Sequence, residues 1–276
     1  MVEKVYTTRS GEIHYWTNRV EDTSFALVFL PGLTADHRLF DKQVQHFKHA
    51  VKIITWDAPA HASSWPFTLD FDLKDTAQWL NAILLAEDVQ SPIIIGQSMG
   101  GYVGQMYSQL FPKHIAGFIA IDSAPLQRKY VTAAEIWLLK RMLPVYRYCP
   151  WSLLLNSGVN GAATTKYGRE IMRLMMMTYA NDKERYAQIS AHGMEMLANA
   201  MEANLPYKID CPALLICGKK DKSGSAIRYN KAWHKQTGIP IEWIEGAGHN
   251  SNTDAPQKIN QIIADFIQRR VKKQNF

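Results

Sequence analysis

A short apolar run, Pro92-Ile93-Ile94-Ile95, leads into Gly96-Gln97-Ser98-Met99-Gly100-Gly101, so Ser98 has a glycine two positions before it and another two positions after. A helical pattern follows at once. Strand, sharp turn and helix in that order lift a serine hydroxyl off the sheet and aim the next helix N-terminus at whatever the hydroxyl attacks. Glycine suits both flanking positions because a β-carbon there would crowd the turn. The chemistry implied is nucleophilic attack. The plainer alternative is a glycine-rich turn with an ordinary serine.

A serine hydroxyl is a poor nucleophile near neutrality and needs a base, itself oriented by a carboxylate. The chain has nine histidines, so position must choose among them. His249 stands in Glu245-Gly246-Ala247-Gly248-His249-Asn250, directly after the last strand-like run and before the last helical pattern. In a parallel sheet that loop lies at the same C-terminal edge as Ser98. His14, His37, His46, His49, His114, His192 and His234 have no comparable placement and read mostly as surface or packing residues.

Two acids are candidates. Asp221 follows the run 213–217 through Gly218-Lys219-Lys220, again at the C-terminal edge, and gives the chain order Ser, Asp, His. Asp122 also ends a strand-like run, the one after the serine's helix; it stays the less favoured alternative, with structural hydrogen bonding as its other role. An attacked carbonyl becomes an oxyanion that needs preorganised donors. The Met99 N–H comes with the turn geometry, and the loop Pro31-Gly32-Leu33-Thr34 offers a second donor, best the Leu33 N–H, because Gly32 lets the backbone turn toward the serine.

The elements that position these residues form an alternation. Residues 2–7 and 12–17 read as a hairpin around Ser10-Gly11. The continuous apolar run at 25–30 suits a strand covered on both faces, and further strands are read at 51–56, from Pro92 into the serine's turn and at 115–121. Helical patterns at 39–48, 72–89 and 99–111 separate them; in the second, Leu73, Ala77, Leu80 and Leu84 share one face. From Leu126 to about Asn204 no strand is evident, and helices are expected at 133–143, 166–178 and 182–203. Strands at 213–217 and 239–244 and helices at 225–237 and 256–271 complete the chain. The expectation is an α/β protein with a mostly parallel, eight-stranded sheet flanked by helices.

At 276 residues the chain can bury one large core, and its 47% hydrophobic and 20% charged residues are ordinary for a globular protein. The net charge of +6 does not mark a nucleic-acid binder, because the basic residues are scattered and the densest cluster, Arg269-Arg270-Val271-Lys272-Lys273, suits a solvated helix end. Three cysteines, Cys149, Cys211 and Cys217, are an odd count without metal-ligand spacing and suggest reduced thiols. The N-terminus lacks a signal-peptide core, and no apolar run is long enough to span a membrane. A cytoplasmic protein is expected, with no metal and no cofactor.

The motifs together resemble the α/β-hydrolase superfamily over nearly the whole chain. Gly96-Gln97-Ser98-Met99-Gly100-Gly101 resembles its nucleophile elbow, Phe29-Leu30-Pro31-Gly32-Leu33 its oxyanion loop, Gly218 to Asp221 its acid turn and Gly248-His249 its histidine loop. The resemblance implies Ser98 as nucleophile, His249 as base, Asp221 as acid, and the N–H groups of Leu33 and Met99 as the oxyanion hole. Two departures stand out. Pro31 replaces the histidine many relatives carry before the oxyanion-loop glycine. Where relatives often show Asp-x-x-Gly-His-Gly-x-Ser, this chain has Asp57-Ala58-Pro59-Ala60-His61-Ala62-Ser63-Ser64, which implies a stiffer loop with less room near the site and a loop-organising His61.

The resemblance also divides the chain into a core of residues 1–125 and 206–276 and an inserted helical cap, residues 126–205. Met172, Met175, Met176, Met177, Met194, Met196 and Met201 in that insertion suit an adaptable apolar surface, though methionine at helical spacing is more often core. The substrate expected is a small to medium hydrophobic ester, thioester or lactone. Carbon–carbon bond hydrolysis or acyl transfer with the same three residues is the alternative within the fold; a ligand sensor with little turnover is the alternative outside catalysis. Ser98 disfavours halide displacement, for which resembling enzymes use Asp. An exposed apolar surface on the cap could support a homodimer.

Overall fold

The computed structural model describes residues 1–20 and 25–274. The side chains from Arg270 onward, most of the basic tail, lie outside the described residues. The elements run β1 (Val2–Thr7), β2 (Glu12–Thr17), β3 (Ala26–Leu30), α1 (Asp41–Phe47), β4 (Lys52–Trp56), α2 (Leu73–Ala86), β5 (Pro92–Gln97), α3 (Met99–Leu110) and β6 (Gly117–Ile121). Five helices follow: α4 (Ala133–Leu139), α5 (Leu143–Tyr148), α6 (Trp151–Ala162), α7 (Lys166–Met177) and α8 (Lys183–Glu202). The chain closes with β7 (Ala213–Gly218), α9 (Ala226–Thr237), β8 (Ile241–Ile244), α10 (Ser251–Asp254) and α11 (Pro256–Gln274).

The strands form one eight-stranded sheet in the order β1-β2-β4-β3-β5-β6-β7-β8. β1 pairs antiparallel with β2 and β2 with β4; every other neighbour is parallel. All residues of β3, β5 and β6 are buried, as expected of strands with helices on both faces. Burying each Leu, Ile or Phe of these runs contributes about 1.5–3 kcal/mol, so the centre of the sheet is the rigid part of the molecule. β5 sits there, and its register sets Gly96 beside Leu30 on one side and Ala120 on the other. The strand that presents Ser98 is therefore held from both sides.

Local signals set the helix ends. Asp72 and Asp75 form a reciprocal capping box at the start of α2, and Thr132 with Glu135 does the same for α4. Gly238, at φ 72°, ends α9 in the left-handed region. The helical segment between β6 and β7 differs from the sequence expectation. The helix expected over 133–143 stops at Leu139, and Pro144 opens a separate short helix, α5, where proline's missing N–H is no loss. α6 was not evident in the sequence, because Asn156, Gly158, Asn160 and Gly161 dilute its pattern and only Leu154 and Val159 are buried. No helix among the described residues is long and apolar enough to cross a membrane.

Candidate active site

Ser98 stands between the last residue of β5 and the first of α3, with φ 48° and ψ −114°. A non-glycine residue in that region costs on the order of 1–3 kcal/mol and persists only when its surroundings enforce it. The enforcement is visible. Ser98 N donates to Ile121 O at 2.9 Å, and Gly101 N donates to Ser98 O at 2.9 Å. A β-carbon at Gly96 would meet the Gly100 backbone, and one at Gly100 would meet the Leu30 carbonyl. The glycines of the turn are thus required by close backbone approach on both sides.

His249 Nε2 lies 2.9 Å from Ser98 Oγ, and His249 Nδ1 lies 2.9 Å from Asp221 Oδ2. The second oxygen, Asp221 Oδ1, accepts from Ser223 N at 2.8 Å. Asp221 sits in a turn closed by its own N–H on Gly218 O at 3.1 Å, and Lys220 N donates to Ala247 O at 2.8 Å, which ties the acid turn to the histidine loop. Burial alone would lower the His249 pKa. The Asp221 hydrogen bond and the charges of Asp221 and Asp122 outweigh it, and the net shift is upward.

Asp122 does not contact His249 through a hydrogen bond. Its carboxylate accepts from Gly218 N at 2.7 Å, from Ser251 N at 2.8 Å and from Ser251 Oγ at 2.9 Å. It therefore fastens the ends of the two loops that carry Asp221 and His249. Burial pushes its pKa up to about 7, against the opposing His249 charge and backbone donors. Asp122, Cys217 and Asp221 bring ligand atoms within 4.8 Å of one another, as do Asp36, His37 and Asp57. In both groups the carboxylates are engaged by donors of the chain: Asp57 accepts from His37 N at 2.9 Å and Ser63 N at 2.9 Å.

Leu33 and Met99 both line the cavity that holds Ser98 and His249. Met99 is the first residue of α3, so its N–H has no intrahelical acceptor. Gly32 packs so closely that a β-carbon there would lie 3.1 Å from Ser98 Cβ and against the Gln97 amide oxygen. His61 is buried and its Nδ1 lies 2.9 Å from Pro59 O, an interaction internal to its loop. Ala60 and Ala62 both take positive φ, 71° and 37°, so the two alanines keep backbone conformations that favour glycine. His37 stacks on Trp16 at 3.7 Å.

Two residues of the site escaped the sequence reading. Gln97 Nε2 donates to His249 O at 2.8 Å and to Asn250 Oδ1 at 3.1 Å, joining the elbow to the histidine loop. Asp254 accepts from Gly248 N at 2.8 Å, Thr165 N at 2.9 Å and Thr164 N at 3.0 Å. A glutamine beside the serine and an aspartate just after the histidine loop were the available signals.

The cavity has a volume of about 650 Å³. Its floor is Ser98, His249, Leu33 and Met99; its walls come largely from the helical segment, including Leu139, Tyr146, Met172, Tyr186, Met194, Leu197 and Met201. Lys222 is the one Lys or Arg among the described lining residues, and Glu135 and Asp122 are carboxylates there besides.

Residues 27–262 match the sequence pattern of the alpha/beta hydrolase family. The (E)-2-((N-methylformamido)methylene)succinate hydrolase of Acinetobacter baylyi is 20% identical over 276 residues, covering 97% of this chain and 99% of that protein. A monoacylglycerol lipase of Xenopus laevis is 21% identical over 88% of this chain and 75% of its own length. Among solved structures, a thermophilic esterase from Thermogutta terrifontis superimposes with a TM-score of 0.78 at 18% identity, covering 98% of each chain, a likeness of fold.

Proposed function

Because the chain belongs to the alpha/beta hydrolase family, we propose that it cleaves carboxylic esters of small to medium hydrophobic substrates through an acyl-enzyme on Ser98, thioesters and lactones being variants of the same chemistry. One observation carries the reading: the Ser98, His249 and Asp221 side chains are in hydrogen-bond sequence at 2.9 Å each, with Ser98 and His249 at the floor of a cavity walled mainly by apolar residues. His249 Nε2 takes the Ser98 proton as Oγ attacks the carbonyl. The N–H groups of Leu33 and Met99 receive the developing oxyanion, each such donor being worth about 10²–10³ in kcat. The leaving alcohol departs with the proton from His249, and water, deprotonated by the same imidazole, releases the acid. Asp221 holds the tautomer and stabilises the imidazolium. Residues 126–205 act as a cap that excludes water and shapes the acyl pocket.

The direct test is Ser98→Ala against p-nitrophenyl butyrate, with fluorophosphonate labelling of the wild type. The reading expects an adduct on Ser98 and a loss of kcat of at least about 10³-fold. A folded protein that gives no adduct is instead a binding protein. Similarity to a hydrolase named for a succinate favours a second reading, in which the same three residues act on an anionic substrate.

A further inference from the structure

Pro31 brings neither an N–H nor a polar side chain to the loop whose Leu33 N–H is the proposed oxyanion donor. The turn of that loop closes with Ala35 N donating to Gly32 O at 3.2 Å. Thr34, next to the donor, has φ 61°. That region strains a β-branched residue, and such a conformation persists only where the surroundings enforce it. Contacts that could enforce it come from the helical segment between β6 and β7.

The segment from Leu33 to Arg38 is met at four points. A β-carbon at Gly193 of α8 would lie 2.4 Å from Leu33 Cδ1, so the leucine side chain is seated against bare backbone. Tyr186, about two turns earlier on the same face of α8, brings its hydroxyl to that of Thr34. Burial raises the Tyr186 pKa, and the hydrogen bond with Thr34 opposes that rise. Asp36 N donates to Met175 Sδ of α7 at 3.5 Å, and Arg38 Nη2 to Thr178 Oγ1 at 3.3 Å. Tyr186 is itself fixed by rings of the same helical segment: its centroid lies 5.4 Å from Trp151, 5.6 Å from Tyr179 and 6.1 Å from Tyr146.

We propose that Tyr186 and Gly193 are positioning residues for the oxyanion hole. The Tyr186 hydroxyl fixes the turn at Thr34, Gly193 seats the Leu33 side chain, and the Leu33 N–H is aimed at the oxyanion only while α8 is in place. This rests on the hydrolase reading above and adds to it: the helical segment, there a wall that excludes water, is here part of the catalytic geometry. An oxyanion donor acts at about 2.7–3.1 Å from the developing charge. A loop that relaxes by part of an ångström therefore loses rate without losing affinity for the ground state.

Tyr186→Phe keeps the ring among its aromatic neighbours and removes the hydroxyl; Thr34→Val keeps the shape and removes the other hydroxyl. Each should lower kcat for p-nitrophenyl butyrate about tenfold with KM unchanged, a fraction of the roughly 10²–10³ that a whole donor is worth. Inhibition by butylboronic acid, whose adduct on Ser98 places an oxygen in the hole, should weaken in parallel. Because the two hydroxyls act as a pair, the double variant should lose no more than either single one. Thr34→Ser, which restores a hydroxyl, should recover most of the loss. Gly193→Ala should lower kcat in the same way, since its methyl displaces Leu33, although alanine suits a helix better than glycine. Unchanged kcat in these variants overturns the proposal, as do losses that add in the double variant. A raised KM with kcat intact also overturns it, because Tyr186 is then a substrate contact. Melting temperatures check the fold, and Thr34→Val and Gly193→Ala decide the matter if Tyr186→Phe does not fold. A wild type that turns over no ester and takes up no fluorophosphonate overturns the hydrolase reading and this proposal together. An active wild type whose kcat survives these substitutions overturns this proposal alone.

Discussion

Asp254 accepts hydrogen bonds from Thr164 N at 3.0 Å and from Gly248 N at 2.8 Å. Thr164 precedes α7 in the helical segment, and Gly248 precedes His249, so one carboxylate joins the wall of the cavity to the loop of the candidate base. The joint is reinforced by Thr164 Oγ1 donating to Gly246 O at 2.7 Å and by Asn250 N donating to Ala162 O at 2.8 Å. The cavity and the imidazole therefore cannot shift independently.

Replacing Asp254 by Ala leaves at least three backbone donors without this acceptor. The expected cost is about 3 kcal/mol of stability and, because displacement of His249 by about 1 Å is enough, a fall of roughly 10²-fold in kcat/KM. Asp254→Asn, which keeps one acceptor oxygen, should recover part of both losses. Urea denaturation with parallel p-nitrophenyl butyrate kinetics measures them. An Asp254→Ala protein with unchanged kinetics would show that the histidine loop is held by other bonds.

Such joints mark where the sequence stopped being legible. β3, β5 and β6 announce themselves because both faces are covered and every residue but Gln97, at the end of β5, is apolar, and the elbow is visible because backbone contact demands glycine at 96 and 100. Asp122 and Asp221 both end strands, and only geometry separates the one that reaches His249 from the one that grips Gly218 and Ser251. Asp254 and Gln97 act on backbone groups about 90 and 150 residues away in sequence, a relation with no local period to reveal it. α6 stayed hidden because one of its faces is solvated and its glycines weaken the helical pattern.

Asp122 provides a test that separates stability from chemistry. Asp122→Ala leaves the buried Gly218 and Ser251 N–H groups unsatisfied, at about 1–3 kcal/mol each. Asp122→Asn keeps an acceptor and tolerates the φ of 48° at this position. Since burial raises the folded pKa to about 7, the native state binds a proton that the unfolded chain has released between roughly pH 4 and 7. The contribution of this group to stability therefore falls as pH rises through that window. Urea midpoints at the two ends of the window should differ less in Asp122→Asn than in the wild type; an identical slope in both rules out Asp122 as its source.

The proposed base predicts a pH profile whose sign is fixed. His249 must be neutral to accept the Ser98 proton, and its pKa is raised. kcat/KM should therefore fall as pH drops, with a midpoint above roughly 6.5, the ordinary histidine value. Asp221→Asn removes the hydrogen bond and charge that do most to raise the pKa, and leaves the weaker effect of Asp122 against the burial that lowers it. Its midpoint should move to lower pH while kcat drops about 10⁴-fold. The imidazolium also stabilises the fold below about pH 6.5, and that contribution is lost as pH rises through the folded pKa. A flat wild-type profile between roughly pH 5 and 8 eliminates His249 as base.

Glycine substitutions separate packing from propensity. Gly100→Ala directs a methyl into the Leu30 carbonyl, where no side chain can yield, and should cost at least about 3 kcal/mol or prevent folding. Gly161, in α6, has open space where its β-carbon would lie. Gly161→Ala should stabilise by about 0.5 kcal/mol through helix propensity. Thermal melts of the two variants give the comparison; equal destabilisation contradicts the packing of the elbow described above.

Substrate charge distinguishes the two readings of the cavity. Glu135 lines it, and although burial works against its charge, the donors Tyr229 and Thr132 and the Arg228 guanidinium hold its pKa down at about 2. It is therefore an anion at neutral pH, and the Arg228 that pairs with it at 2.9 Å is not free to receive a substrate carboxylate. Lys222, the one cation among the described lining residues, is exposed and keeps its water. A carboxylate entering this space loses hydration without gaining a buried partner, a penalty that an aliphatic chain on Leu139, Met194 and Leu197 does not meet. kcat/KM for p-nitrophenyl butyrate should therefore exceed that for p-nitrophenyl hemisuccinate by about 10²-fold. Glu135→Gln should narrow the gap by removing the repelling charge. A hemisuccinate ester turned over as well as the butyrate would favour the anionic substrate instead, with Lys222 as the residue to substitute next.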